Sequence, residues 1–176
     1  MRAGEVIDRI RGLVKNAPPC KVTVQANETI REVIALVQGE AEKNGVPVRT
    51  RFAENLPTVE GDRVQLQQVT LNLIMNAIEA MSAVDHGRRE LVVSTDKDEL
   101  GNVLIAVSDL GPGVPFDNVA RLFEPFYTTK ATGMGMGLSI CRSIIEAHGG
   151  RLWASANEPR GSVFQFTVPA DQHITS

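Results

Sequence analysis

The spacing of apolar residues along the chain follows two periods, about 3.6 residues in some stretches and about 2 in others. Stretches with the longer period are predicted to be helices: residues 6–14, 28–43, 61–81 and 138–147. Stretches with the shorter period are predicted to be strands: residues 46–52, 91–95, 103–108, 151–155 and 162–168. Asn27 is the candidate N-cap of the second helix. The strands on either side of residues 97–102 are joined by a polar turn, so we expect an antiparallel hairpin there.

The overall composition is that of an average soluble domain. The 176 residues are enough for one core, 43% of them are apolar, 22% are charged, and the formal net charge is -3. This balance gives no electrostatic reason to bind nucleic acid or anionic lipid, so we expect neither as a partner. No apolar stretch approaches the roughly 20 residues that span a bilayer, and the first residues lack the core of a signal peptide. We therefore expect a soluble, cytoplasmic chain. This expectation concerns the given chain only and leaves room for a membrane anchor in a longer parent protein.

The two cysteines, Cys20 and Cys141, are too few and too far apart to suggest a disulfide framework or a metal site. Cys141 falls within an apolar helical pattern. We therefore expect it to pack in the core rather than to act as a reactive thiol.

Polar residues share one face of the longest predicted helix. Asn72, Asn76 and Glu79 follow one another at i, i+4 and i+7, and Gln65 and Gln68 extend the face backwards. A solvated helix face is the simpler interpretation, but the flanking residues are apolar and leave only a narrow polar stripe. Neutral amide oxygens in such a stripe can ligate Mg²⁺ alongside phosphate oxygens, because this cation uses few protein ligands.

A carboxylate and two glycines stand directly after a predicted strand, at Asp109, Gly111 and Gly113. A carboxylate there can accept a hydrogen bond from an exocyclic amine, and the glycines let the backbone approach a ligand closely. An aspartate with two glycines after a strand most often makes only a turn, so this motif alone is a weak signal.

A stretch rich in glycine and proline runs from residue 109 to residue 137 and contains one short predicted helix, residues 117–122. It ends in alternating glycines followed by a leucine: Gly133, Gly135, Gly137 and Leu138. The free N–H groups and the dipole of the helix that follows favour an anion. The alternative is a flexible linker, and no lysine follows the last glycine as it would in a P-loop. Lys130 just upstream can supply a charge for phosphate, although a loop lysine is usually only solvated.

Taken in chain order, these motifs resemble the five boxes of sensor histidine kinases. The matching segments are the N box with Asn72 and Asn76, the G1 box from Asp109, the F box Phe123-Glu124-Pro125-Phe126, the G2 box from Gly133, and the G3 box Gly161-Ser162 with Phe164 and Phe166. The resemblance covers about residues 27–169, and five boxes in this order are highly specific. It implies an α/β two-layer sandwich, the Bergerat fold shared with DNA gyrase and mismatch-repair ATPases. In that fold helices cover one face of a mixed, mostly antiparallel sheet.

The resemblance also implies a role for each motif residue in binding ATP and Mg²⁺. Asn76 corresponds to the Mg²⁺ ligand, and Asn72 to a residue that supports the metal and the phosphates. Both count as catalytic together with Lys130, which faces the phosphates, while Asp109 reads the adenine amine. The other nucleotide contacts are implied at residues that allow close approach or line the site: Gly111, Gly113, Gly133, Gly135, Gly137, Leu138 and Ser162. Residues 116–136 correspond to the lid, which we expect to be mobile without nucleotide.

One departure from the family pattern bears on mechanism. Many members carry a basic residue three positions after the second asparagine, whereas this chain has Glu79. The phosphate contact made there is then missing, and Lys130 takes more of that role. In related ATPases an acidic residue matching Asn72 activates water, and an amide has no basic lone pair to do so. We therefore expect poor ATP hydrolysis.

The resemblance implies the organisation of a kinase fragment. Its parts, in chain order, are the end of a dimerisation helix (residues 1–16), a linker (17–26), the ATP-binding catalytic domain (27–170) and a frayed tail (171–176). The family's acceptor histidine lies on an earlier helix, and none of His86, His148 and His173 fits its pattern. His148 instead stands at a helix end, where an imidazole can interact with carbonyl groups.

The implied function is transfer of the ATP γ-phosphoryl group to a histidine outside this fragment, for relay to an aspartate of a response regulator. The implied partners are the dimerisation and histidine-phosphotransfer domain of a homodimeric parent kinase and the receiver domain of the regulator. Alone, the fragment is expected to show little autophosphorylation. The alternative is a stand-alone nucleotide-binding regulatory module of the same fold, similar to an anti-sigma factor, and Asn72 disfavours a hydrolysing ATPase.

Overall fold

The computed structural model describes residues 21–82, 87–112, 137–157 and 160–171 of the chain. In chain order these form β1 (Val22–Val24), α1 (Ala26–Lys43), β2 (Val48–Phe52), β3 (Val59–Gly61), α2 (Arg63–Ser82), β4 (Leu91–Lys97), β5 (Val103–Ser108), α3 (Gly137–Ala147), β6 (Arg151–Ala156) and β7 (Ser162–Val168). The last three helices and all the strands predicted from periodicity are confirmed, with small shifts of their ends. The predicted helices 6–14 and 117–122 lie outside the described residues, as does Cys20.

The main sheet has five strands in the order β2-β4-β5-β7-β6. The β2–β4 pair is parallel and the other neighbours are antiparallel, which confirms both the mixed, mostly antiparallel sheet and the predicted hairpin. The register places Ser108, the last residue of β5, opposite Val163 near the start of β7. The end of one strand and the beginning of another therefore meet in the middle of the sheet.

The helices cover one face of this sheet. Along β4 and β5 buried residues alternate with half-buried ones, so only one face of each strand is fully enclosed. The enclosed side chains form a single cluster with the apolar faces of the helices, in which Ile30 and Val33 of α1 pack in the same core as Val93 and Phe166 of the sheet. The architecture is the two-layer α/β sandwich that the motif order implied.

Helix α2 is the centre of the helical layer. It packs between α1 and α3 and against β4 and β5, and its buried apolar residues lie on nearly every side of the helix. The half-exposed positions that remain include Asn72 and Asn76, so the predicted polar stripe is accessible to solvent. In the described part of the chain no helix combines the length and the apolar character needed to cross a bilayer.

The prediction that Asn27 caps α1 is wrong. The helix begins at Ala26 after the N-cap residue Gln25, whose side chain makes no capping hydrogen bond. The Asn27 side chain instead donates to the carbonyl oxygen of Ala53 at 2.9 Å and accepts from the Thr95 hydroxyl at 2.7 Å. These tertiary partners tie the start of α1 to β4 and to the end of β2, and local capping preference has no means of anticipating them.

Two short strands and part of the tail depart from the sequence expectations. β1 and β3 pair with each other as a separate two-stranded sheet, and β1 lies within the stretch expected to be a linker. The expectation that the tail 171–176 is frayed is wrong for its first residue, Asp171. Ala170 forms a β-bridge with Val59, and the Asp171 N–H donates to the carbonyl oxygen of Thr58 at 2.7 Å. The loop before β3 therefore holds the end of the domain in place.

Candidate functional site

The polar stripe on α2 forms as the spacing predicted. Asn72 and Asn76 are half-buried one turn apart, Gln68 is buried one turn earlier, and Glu79 is exposed. The oxygen of the Gln68 amide is enclosed without a hydrogen-bond partner among the described residues. The stripe therefore runs from the interior at Gln68 towards the surface at Glu79, with the two asparagines between.

A buried thiol holds the side chain of Asn72. The amide nitrogen of Asn72 donates to Sγ of Cys141 at 3.5 Å, which joins α2 to α3. Cys141 is fully buried, which confirms that it packs in the core, and burial raises the pKa of its thiol to about 12. The sulfur is therefore a neutral thiol at physiological pH. Sequence reasoning identified its burial and missed its contact with Asn72.

Helix α3 begins at Gly137, one turn before Cys141, and carries no acidic residue in its first turn. Leu138 is half-buried against the core, which anchors this end of the helix. The N-terminal end thus offers its N–H groups and positive dipole end without a competing carboxylate. The other residues predicted around it lie outside the described residues: Gly113, Lys130, Gly133, Gly135 and the rest of segment 116–136.

Asp109 is buried directly after β5, with 3% of its surface exposed. Its Oδ1 accepts hydrogen bonds from the backbone N–H groups of Gly111 at 2.9 Å and of Ser162 at 3.2 Å. Its own N–H donates to the carbonyl oxygen of Ser162 at 2.9 Å. The meeting of β5 and β7 therefore fixes the carboxylate of Asp109, and it brings together three residues predicted for the nucleotide site.

Two glycines allow the chain to close around Asp109. Gly161 has φ +103°, and a Cβ there would lie 2.0 Å from the Asp109 carbonyl oxygen. A Cβ on Gly111 would lie 3.1 Å from both Oδ1 of Asp109 and Cβ of Ala80. Because Ala80 follows Asn76 by one helical turn, the turn after β5 packs against the same end of α2 that carries the asparagines.

Asn157 is a further residue of this site that sequence reasoning did not identify. Its side-chain amide donates to the carbonyl oxygen of Asp109 at 2.8 Å, and its N–H donates to the carbonyl oxygen of Gly161 at 3.0 Å. Residues 157–161 lie between two predicted strands, 151–155 and 162–168, and so short a connection is a local signal of a turn. Nothing in that signal indicates that the turn folds back onto Asp109.

The opposite end of α2 is fastened by His148. Its Nδ1–H donates to the carbonyl oxygen of Ile144 at 2.8 Å, in the tautomer that lets Nε2 accept from the Asp62 N–H at 3.0 Å. Both ring nitrogens are thus engaged in joining the end of α3 to the start of α2, which confirms the predicted helix-end contact with carbonyl groups. His86 and His173 lie outside the described residues.

The chain matches one family model and is similar to a curated sensor protein and to solved structures. Residues 61–172 match the family model described as histidine kinase-, DNA gyrase B-, and HSP90-like ATPase. The chain is similar to the sensor protein FixL of Bradyrhizobium diazoefficiens, with 44% identity over 97% of the chain. That match spans 33% of FixL, so the chain corresponds to about a third of its relative's length.

Two solved structures resemble the described fold. The nucleotide-free catalytic domain of the histidine kinase ThkA is 35% identical with a TM-score of 0.76, and the match covers 86% of this chain and 96% of that one. ThkA in complex with the response regulator protein TrrA is 31% identical with a TM-score of 0.75, over 95% of this chain and 47% of that one. In both comparisons the similarity extends beyond the motifs to the whole sandwich.

Proposed function

Because the chain belongs to the family of histidine kinase-, DNA gyrase B-, and HSP90-like ATPases, we propose that it is the ATP-binding catalytic domain of a sensor histidine kinase. In the complete protein it transfers the γ-phosphoryl group of ATP to a histidine outside this fragment. An aspartate of a response regulator then takes the group from that histidine. The reaction uses the cytoplasmic ATP pool, so the domain works on the cytoplasmic side of the cell.

The observation that carries this proposal is the fixed, buried carboxylate of Asp109. Its Oδ1 is held by the N–H groups of Gly111 and Ser162, which orients the whole carboxylate at the end of β5. An ionised carboxylate only accepts hydrogen bonds, so it favours the exocyclic amine of adenine over the carbonyl oxygen that guanine carries at the same ring position. ATP should therefore bind in preference to GTP, with Ser162 at the adenine end of the site.

The residues at the other end fit a triphosphate with Mg²⁺. The polar stripe of α2 offers amide oxygens to a cation, and a triphosphate supplies oxygens of its own. Mg²⁺ accepts such a set, and when bound it offsets the charge of the phosphates. Asn76 would ligate it, with Asn72 in support. The start of α3 would receive the phosphates.

The remaining motif residues complete the proposed site. Leu138 would pack against the nucleotide site at the start of α3. The backbone groups of five glycines would wrap the nucleotide: Gly111, Gly113, Gly133, Gly135 and Gly137. Lys130 would neutralise phosphate charge. Together these groups position and neutralise the γ-phosphoryl group, which is most of what phosphoryl transfer requires of a protein.

The group that attacks the γ-phosphorus, a histidine or water, decides whether ATP is used for phosphoryl transfer or for hydrolysis. An imidazole nitrogen of the acceptor attacks the γ-phosphorus, the bond from that phosphorus to the bridging oxygen breaks, and ADP leaves. Water is a poor competitor because Asn72 is an amide and cannot act as a general base. The partners are therefore the dimerisation and histidine-phosphotransfer domain of a homodimeric parent and the receiver domain of a regulator, a pairing supported by the complex of ThkA with TrrA.

The test is to follow the label of γ-labelled ATP. The purified chain is mixed with Mg²⁺ and labelled ATP, first alone and then with a separate histidine-bearing dimerisation domain. We expect label to stay on ATP until that domain is added and then to appear on it. Rapid release of free phosphate would indicate an ATPase instead, and binding without transfer would indicate a regulatory module.

The Asp109→Asn variant tests whether Asp109 recognises the adenine base. The variant keeps one oxygen for the N–H groups of Gly111 and Ser162 and replaces the other with an amide nitrogen, which cannot accept from adenine. We expect a loss of ATP affinity of about tenfold or more, the usual effect of removing a hydrogen bond to a charged group. An unchanged preference for ATP over GTP would contradict the assignment of Asp109.

A further inference from the structure

Cys141 belongs to none of the five motif segments, yet it contacts one of their central residues. We propose that Cys141 is a positioning residue that sets the orientation of the Asn72 amide, so that Asn72 presents its oxygen rather than its NH₂ group to the ligand. This inference rests on the proposed function in one respect only, since it takes the ligand to be ATP with Mg²⁺.

The geometry gives the two ends of the Asn72 amide different surroundings. The nitrogen donates to Sγ of Cys141 at 3.5 Å. Within the described residues this is the hydrogen bond that the Asn72 side chain makes, and its oxygen has no donor partner there. The nitrogen is therefore directed into the α2–α3 contact and the oxygen away from it.

The burial of the thiol favours this orientation. Cys141 is fully buried, so water does not compete for its sulfur, and the Asn72 nitrogen donates to it. A neutral sulfur accepts weakly and donates only through its S–H. A flipped amide would lose this hydrogen bond and turn its N–H groups, which cannot ligate Mg²⁺, towards the cation.

The position of Cys141 also couples Asn72 to the start of α3. Gly137, the first residue of that helix, lies one turn before Cys141. The far ends of the same two helices are joined by His148 and Asp62. With both ends of the helix pair fastened, the Asn72 amide keeps a fixed place relative to the helix N-terminus that receives phosphate.

Three variants of the full chain separate positioning from packing. Cys141→Val keeps the size and removes the acceptor, and Cys141→Ser is the conservative variant that keeps an acceptor atom. Ile145→Val, one turn further along the same buried face of α3, removes a methylene and leaves the sulfur of Cys141 in place. For each, calorimetry gives the affinity for ATP with Mg²⁺ and with EDTA. The ratio of these affinities reports the part of binding that depends on the metal.

We expect Cys141→Val to lower this ratio about tenfold, the usual effect of removing an outer contact that supports a metal site. Cys141→Ser should recover most of the ratio, and Ile145→Val should lower stability without changing it. A Cys141→Val variant with the ratio of the wild type would overturn the proposal. Equal losses with Mg²⁺ and with EDTA would also overturn it, because they indicate damaged packing.

A second measurement needs no nucleotide. The side-chain amide protons of Asn72, assigned by comparison with Asn72→Ala, should exchange slowly in the wild type and at least tenfold faster in Cys141→Val, because the hydrogen bond to sulfur is gone. If the wild type bound no ATP, the proposed function would fail and this exchange rate alone would decide the inference. Equal exchange in the two proteins would refute it.

Discussion

Replacing Gly161 with alanine should displace Asp109, because the two residues lie closer together than any side chain at position 161 allows. Gly161 has φ +103°, and the added Cβ would lie 2.0 Å from the carbonyl oxygen of Asp109, 2.8 Å from its carbonyl carbon and 3.0 Å from Oδ1. Two of these atoms belong to the backbone, so rotation of a side chain cannot relieve the overlap. The start of β7 or the end of β5 has to move.

The magnitude can be separated into two parts with Gly101→Ala as the control. Gly101 has φ +85° and open space around its Cβ position, so alanine there meets only the left-handed backbone strain of about 1–2 kcal/mol. Gly161→Ala carries the same strain plus the cost of forcing an atom into a packed interior, about 1–3 kcal/mol more. We expect losses of unfolding free energy of about 1–2 kcal/mol for Gly101→Ala and about 2–5 kcal/mol for Gly161→Ala.

Urea denaturation gives the two stabilities, and titration with ATP gives the effect on the site. Gly161→Ala should lose ATP affinity by about tenfold or more, because the carboxylate of Asp109 is no longer held where adenine reaches it. Gly101→Ala should bind ATP as the wild type does, since Gly101 lies in the turn between β4 and β5. If both variants lost the same stability and both bound ATP normally, the close approach of Gly161 would not be what orients Asp109.

Three further outcomes concern the stability of the fold rather than nucleotide affinity. His148→Leu removes the acceptor of the Asp62 N–H and should cost about 1–3 kcal/mol in urea denaturation, with His148→Gln less costly because it keeps an acceptor. Above pH 9 the unfolded chain loses the Cys141 proton while the folded chain keeps it, so the wild type should lose about 1.4 kcal/mol per pH unit relative to Cys141→Val up to about pH 12, measured from pH 8 to 10. Arg63 lowers the pKa of Glu32 through an exposed ion pair, so Arg63→Gln should cost under about 1 kcal/mol at low salt and still less in 1 M NaCl.

The long elements of the fold could be predicted because each carries its own periodic signal. α2 and the β4–β5 hairpin are long enough for several repeats of their pattern, and both appear close to the predicted bounds. β1 and β3 have only three residues each, which is too short for any period to show. They are stabilised by pairing with each other and, at Val59, with Ala170, partners that only the folded chain brings together.

The error at Asn27 has a similar cause. An asparagine just before an apolar helical pattern is a favourable cap, and the local preference is real. In the folded chain its side chain reaches Ala53 and Thr95 instead, and α1 starts without a side-chain cap. A capping hydrogen bond is worth about 1 kcal/mol, and two tertiary hydrogen bonds in a half-buried setting are worth at least as much.

The residues of the candidate site also fall into two groups, those that a local pattern predicts and those that only the folded chain brings together. Asp109, Asn72 and Asn76 could be predicted because each stands in a local motif whose residue types and spacing suit the proposed ligand. Two of the contacts that hold them could not be predicted: Asn157 is 48 residues from Asp109, and Cys141 is 69 residues from Asn72. A supporting contact needs only an atom of the right kind in the right place, which many residue types can supply from any part of the chain. Motifs therefore mark the groups proposed to meet a ligand, whereas the orientation of those groups, such as that of the Asn72 amide, follows from contacts that only the folded chain makes.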